Sequence, residues 1–220
     1  MHKSLSAFFL VFGFLGLLSG HGQSQKPHAI YGSGQLAVGN YYGLDLSANY
    51  VRAERHVFQL TVGAYQRRAQ SIPSNYVGRG GLLMPGWWPD GPFDAMEHVQ
   101  FTYGSMYALN ESGKMRTILS GGLALTRITE PGNWRDYTGP SGGFGGQIFD
   151  RPNFDFDYLS KNRVSVVFNP RIEFAFSRFY GLSLSSLLLV NRDRVQFNVG
   201  VGHVIGLVRR KPVNNINPFL

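Results

Sequence analysis

Residues 163–208 read RVSVVFNPRIEFAFSRFYGLSLSSLLLVNRDRVQFNVGVGHVIGLV, and their spacing decides the fold. Val164, Val166, Phe168, Ile172, Phe174 and Phe176 share one parity; Ser165, Asn169, Arg171, Glu173 and Ala175 share the other. After Ser177–Tyr180 comes a run rich in Leu and Ser, Gly181 to Val190. After Asn191–Arg194, Val195, Phe197, Val199 and Val201 alternate with Gln196, Asn198, Gly200 and Gly202. A period of two sustained over many residues is the strand signal, and short polar connections make sequential strands antiparallel.

Upstream the same pattern recurs. Leu36, Val38, Tyr42, Leu44, Leu46, Ala48 and Tyr50 share a parity across the turn signal Gly39-Asn40, and a three-residue loop there keeps Val38 opposite Tyr42. Val57 to Arg68 and His98 to Leu109 alternate in the same way, and Met115 to Ile128 carries Leu119, Leu123 and Leu125 on one side. Tight turns are expected at Arg52–His56 and Asn110–Lys114. Two long segments, Ala69–Glu97 and Thr129–Asn162, are rich in Pro, Gly and aromatics and read as loops.

The start of the chain has the form of an export leader. His2 and Lys3 precede an apolar run, Leu5 to Leu18, and Gly20-His21-Gly22 offers small residues at an exit. That run is too short for a spanning helix and matches a secretory signal. The expected organisation is a signal peptide over residues 1–22, a barrel over 23–211 and a tail over 212–220. With no cysteine in 220 residues, a disulfide scaffold, a thiolate metal site and a cysteine nucleophile are excluded. The net charge of +8 favours anionic lipid headgroups or lipopolysaccharide as partners, since an exported chain rarely meets nucleic acid.

Alternation alone leaves open which face is wet, and three features assign it. The polar parity is mostly Gly, Ser, Thr, Asn and Gln, where a soluble surface is about 25–35% charged. Charges gather at strand ends, with Asp45, Arg116, Arg171 and Glu173 the notable ones within strands, and aromatics such as Tyr50, Phe58, Phe179 and Tyr180 crowd the same ends. The connections divide into tight turns and very long loops. A transmembrane barrel has all three features, and a closed sheet satisfies its backbone in lipid. The fold class expected is therefore an all-β, antiparallel, up-and-down transmembrane barrel of eight strands with two long external loops. A secreted soluble barrel with the apolar faces inside is the alternative. If Leu36–Val51 were one unbroken strand, the count would fall to seven, unless Phe154–Leu159 supplied another.

The run GLSLSSLLLVNRDRVQFNVGVGHVIGLVRRK (181–211), with PRIEFAFSR (170–178) before it, resembles the small outer-membrane β-barrel proteins of Gram-negative bacteria, most of all those of Bacteroidetes-type genomes. The resemblance implies an outer-membrane location, insertion by the outer-membrane assembly machinery, and no particular activity. Pro212 and the following residues depart from the family's habit of ending on an aromatic residue within the last strand.

Among candidate sites, Asp45, Arg116, Arg171 and Glu173 are expected to form an ionic cluster in a lumen filled by side chains. Trp87, Trp88 and Trp134 are a candidate loop surface for an extracellular ligand. A lipid A-modifying acyl-transfer or acyl-hydrolase enzyme needs an activated Ser or His, and no triad-like spacing is evident: His98 and Ser105 have opposite parity, and His203 has apolar-face parity. A soluble periplasmic lipid-binding barrel is the remaining alternative. The glycine runs 78–81 and 142–146 lack the lysine and helix of a phosphate loop, and Asp150, Asp155 and Asp157 lack a calcium-loop spacing, so no cofactor or metal is expected.

Overall fold

In the computed structural model, which describes residues 28–76, 92–110, 114–137 and 154–208, eight strands form one closed antiparallel barrel. They are β1 His28–Gly39, β2 Tyr42–Arg52, β3 His56–Arg68, β4 Phe93–Ala108, β5 Met115–Asp136, β6 Phe154–Ala175, β7 Tyr180–Val190 and β8 Val195–Gly206. Each strand pairs with its sequence neighbours, and β1 closes on β8, with Leu36 opposite Val201. The turn at Gly39 does pair Val38 with Tyr42, which makes β1 and β2 separate strands and the count eight. The leader and tail expected at the termini lie outside the described residues.

The two long segments are shorter as loops than their composition implies. Phe93–Glu97 is the start of β4, pairing as far as Arg68 with Phe93. Thr129–Asp136 and Phe154–Ser160 pair with each other and lengthen β5 and β6 to 22 residues each. The alternation of Phe154, Phe156 and Tyr158 with Asp155 and Asp157 is thus the far part of β6. Pro131 and Gly132 obscured its partner. The β4 pairing ends at Thr129, so Pro131 sits where β5 needs one neighbour only. A bulge between Gly132 and Arg135, with Asn133 at φ 52°, absorbs the irregularity.

The barrel is inverted relative to a soluble protein. Leu36, Val99, Leu123, Leu125, Val164 and Val201 are all more than half exposed, whereas Asp45, Gln100, Thr102, Glu173, Gln196 and Asn198 are fully buried. On β8 the outward residues run from Val195 to Ile205. At about 3.3 Å per residue and a tilt near 40°, that is about 25 Å along the axis, the height of a membrane barrel's apolar band.

Apolar clusters fill the lumen towards each end. One holds Tyr31, Val51, Val57, Ile118 and Val204; the other holds Tyr65, Met96, Ile128, Leu187 and Leu189. Both described termini, His28 and Val208, lie at the near end with the turns β2–β3 and β6–β7 and the connection from β4 to β5. The segments that interrupt the described residues at 77–91 and 138–153 leave from the far end.

Candidate functional site: a bonded lumen and a projecting hairpin

Three layers of polar contacts cross the lumen. The near layer is centred on Glu173, which has no exposed side-chain surface. Its Oε2 accepts from Arg116 Nε at 2.7 Å, its Oε1 lies 3.0 Å from Arg171 Nε, and Tyr31 donates to the same carboxylate at 3.0 Å from the opposite wall. Arg171 also donates to Asn49 Oδ1 at 2.8 Å and to Ser33 at 3.2 Å, while Arg116 donates to the Val208 carbonyl and lies over the Tyr31 ring. Two guanidiniums face one carboxylate here, and neutral acceptors on β1, β2 and the end of β8 take the remaining donors. Every one of these side chains is polar-parity in its strand, so the alternation places them and barrel closure brings them together; Val208 follows β8.

Asp45 is also buried in the lumen, but apart from that layer. Its partners are Tyr65, which donates to Oδ2, Gln35 at 2.9 Å, and His98, whose Nε2 is 3.4 Å from Oδ1. Ser185 on β7, one strand removed from β1 across β8, donates to Gln35 at 2.6 Å and completes this middle layer. The physical reason for the separation is register. Asp45 is level with Gly63 and His98, whereas Glu173 is level with Arg116. Sequence reasoning did not group His98 and Tyr65 with Asp45; their even spacing from Gln100 and from Gly63 was the available signal. The constellation of Tyr, His and Asp is fully enclosed, so it offers no face to a lipid substrate.

The far layer closes the mouth. Arg194, in the β7–β8 turn, reaches across the barrel to Glu130 on β5, with Nε at 2.8 Å, and to Gln70 at 2.7 Å, and comes within 3.9 Å of Asp94 on β4. Arg67 holds Asp94 at 3.0 Å and lies over Tyr41, Lys161 holds Glu130 at 3.1 Å, and Arg163 holds Asp193 at 2.8 Å. Burial alone would push the pKa of Glu130 up, but hydrogen bonds and charge from Arg194 and Lys161 outweigh it and hold the carboxyl below its ordinary value.

Beyond the mouth the β5–β6 hairpin projects with two distinct faces. Arg135, Asp155 and Asp157 pair on the side that continues the lumen parity. On the other, Trp134 packs on Phe156 at 4.9 Å and edge-on to Phe154 and Tyr76, and Phe156 leads through Tyr158 to Phe93 on β4. Of the three tryptophans in the candidate loop surface, Trp134 stands here; Trp87 and Trp88 lie outside the described residues, as do the two glycine runs and Asp150.

At the near end, outward-facing aromatics ring the barrel. His28 stacks on Tyr50, Tyr50 meets Phe58, and Phe58 meets Tyr103. Tyr180 shares a hydrogen bond with His203 at 2.7 Å, so His203 belongs to this interfacial ring.

A polar, filled interior inside an apolar outer band defines the class: a transmembrane β-barrel of eight strands. Its fold is similar to that of Ail, the attachment invasion locus protein of Yersinia pestis (TM-score 0.43, 10% identity, 81% of this chain and 95% of that one). It is similar also to Neisserial surface protein A (0.45, 10%, 81% and 95%) and to the N-terminal barrel domain of Pseudomonas aeruginosa OprF (0.45, 14%, 83% and 98%). No protein-family model and no curated protein matches the sequence.

Proposed function

We propose that this protein is a non-conducting outer-membrane barrel of a Gram-negative, Bacteroidetes-type bacterium, which carries its function on the segments that project from its far end. The single observation that carries the reading is the inversion of the barrel: an apolar band about 25 Å tall outside and a bonded polar lumen inside. The same exposed band counts against a soluble periplasmic lipid carrier, whose outer surface must be wet. Export through a leader at residues 1–22, insertion by the outer-membrane assembly machinery, contact with lipopolysaccharide, and capture of an extracellular ligand by the projecting loops all belong to this reading.

The near end is then periplasmic, because an exported N-terminus begins there, and the two long connections are external. The cross-lumen layers leave the barrel a structural support and no pore.

Fractionation tests the location: the protein should sediment with the outer membrane, and release by osmotic shock would exclude the reading. Epitope tags at Ser74 and at Gly143, a position outside the described residues, should both label on intact cells. A tag at Ser74 that labels only after permeabilisation would overturn the orientation.

A further inference from the structure

The outward face of β4, β5 and β6 changes character in a fixed order towards the far end. The last apolar row is Val99, Leu125 and Val164, each at least half exposed and each opposite the next in register. One row further stand Glu97, Arg127 and Asn162, also exposed and in register. Then come Thr129 and Ser160, whose hydroxyls share a hydrogen bond at 3.0 Å, with Arg127 Nη2 3.5 Å from Ser160. Above them lies the aromatic cluster of Phe93, Tyr158, Phe156 and Trp134, beside Arg68, which is opposite Phe93.

We propose that this face, continuous with the lipid-facing band, binds the saccharide part of a phosphorylated glycolipid in the surrounding outer leaflet. The proposal rests on the outer-membrane reading above and specifies its lipid contact. The order of the rows matches the order of such a lipid: acyl chains on Val99, Leu125 and Val164; phosphate at Arg127; sugar hydroxyls at Thr129 and Ser160; pyranose rings on the aromatics. The apolar C–H face of a sugar ring covers an aromatic side chain, and its hydroxyl rim stays wet. Glu97 in the phosphate row and Asp136, opposite Phe154 at the tip, oppose an anion; Arg127 and Arg68 balance them, with Arg127 in the phosphate row itself.

Height selects the occupant. Tyr158 is six residues beyond Val164, about 20 Å along the strand and about 15 Å along the membrane normal. The headgroup layer of a phospholipid leaflet is only about 5–8 Å deep, so its lipids end below the aromatic row. A lipid bearing several sugars reaches it. The opposite face of the hairpin carries Arg135, Asp155 and Asp157 and has no such gradient.

The test uses the full chain reconstituted in phospholipid nanodiscs containing either lipid A or rough lipopolysaccharide with its core sugars. The core-bearing lipid should raise the melting temperature above that with lipid A by about 3 °C. Tyr158→Ala with Phe156→Ala should abolish that difference, Asp157→Ala on the other face should keep it, and Arg127→Ala should lower the shift produced by both lipids. Free core oligosaccharide, added to the unaltered protein, should compete the difference away. Equal melting temperatures of the unaltered protein in the two lipids would overturn the proposal, as would an undiminished difference in the aromatic double variant. Failure of the chain to enter nanodiscs at all would instead overturn the membrane reading beneath it.

Discussion

Asp45 and His98 meet across a strand that lies between them: Oδ1 and Nε2 are 3.4 Å apart although β3 separates their own strands. The residue in the gap is Gly63, opposite both in register. A Cβ at Gly63 would overlap the Asp45 carboxylate and the imidazole of His98. The middle layer of the lumen therefore depends on a missing side chain, a condition that neither partner's sequence context reveals.

Gly63→Ala should destabilise the barrel. The added carbon must push apart a buried carboxylate, held by Tyr65 and Gln35, and a buried imidazole, an overpacking cost of about 1–3 kcal/mol. Urea unfolding of the detergent-refolded protein measures it. A midpoint unchanged from the parent would show that the two groups can part freely.

Glu173→Ala should cost more, about 3–5 kcal/mol, because it strands Arg116 and Arg171 together in the lumen without their shared carboxylate. The heat-modified shift on gel electrophoresis should move to lower temperature. Replacing Tyr31 by Phe removes one donor only and should cost about 1 kcal/mol.

The mouth should loosen in acid. Glu130 is more acidic in the folded chain than its ordinary value of 4.5. Its contribution to stability is therefore complete above that value and is lost as the pH falls through the lower folded one. Protection of the Asn191–Arg194 amides, measured relative to their intrinsic exchange rate at each pH, should fall over that interval, and Glu130→Gln should remove that fall. Protection equally high at both ends of the interval would show that the Arg194 bridge does not hold the turn.

The β2–β3 turn offers a stabilising change. Ala53 and Glu54 both have φ 54°, with Arg55 N–H bonded to the Arg52 carbonyl, the geometry of a type I′ turn that favours Asn-Gly. Ala53→Asn puts a residue that tolerates the left-handed region where alanine is strained, and should gain about 0.5–1 kcal/mol. A melting temperature about 2–4 °C higher is the expected readout.

Much of this was legible in the chain itself. The period of two, from Leu36 to Val201, set which residues share a face. The scarcity of charge on the polar face, together with charged strand ends, showed that face to be the enclosed one. Those are local properties, because side chains alternate along any extended strand whatever its neighbours do. The eight strands, the tight turns and the inward aim of Glu173 follow from them.

What a given luminal residue touches was decided only by the closed barrel. Tyr31 and Glu173 are 142 residues apart and share a bond because β1 and β6 face each other across a lumen whose width and stagger belong to all eight strands at once. Asp45 shares parity-based burial with Glu173, yet register lifts it to a different layer and gives it His98. The hairpin beyond the mouth was hidden for a similar reason. Pro131 and Gly132 break the local pattern of β5, and the strand persists there because β6 supplies the pairing that the pattern alone does not. Alternation is a property of one strand; register, stagger and closure are properties of the whole sheet.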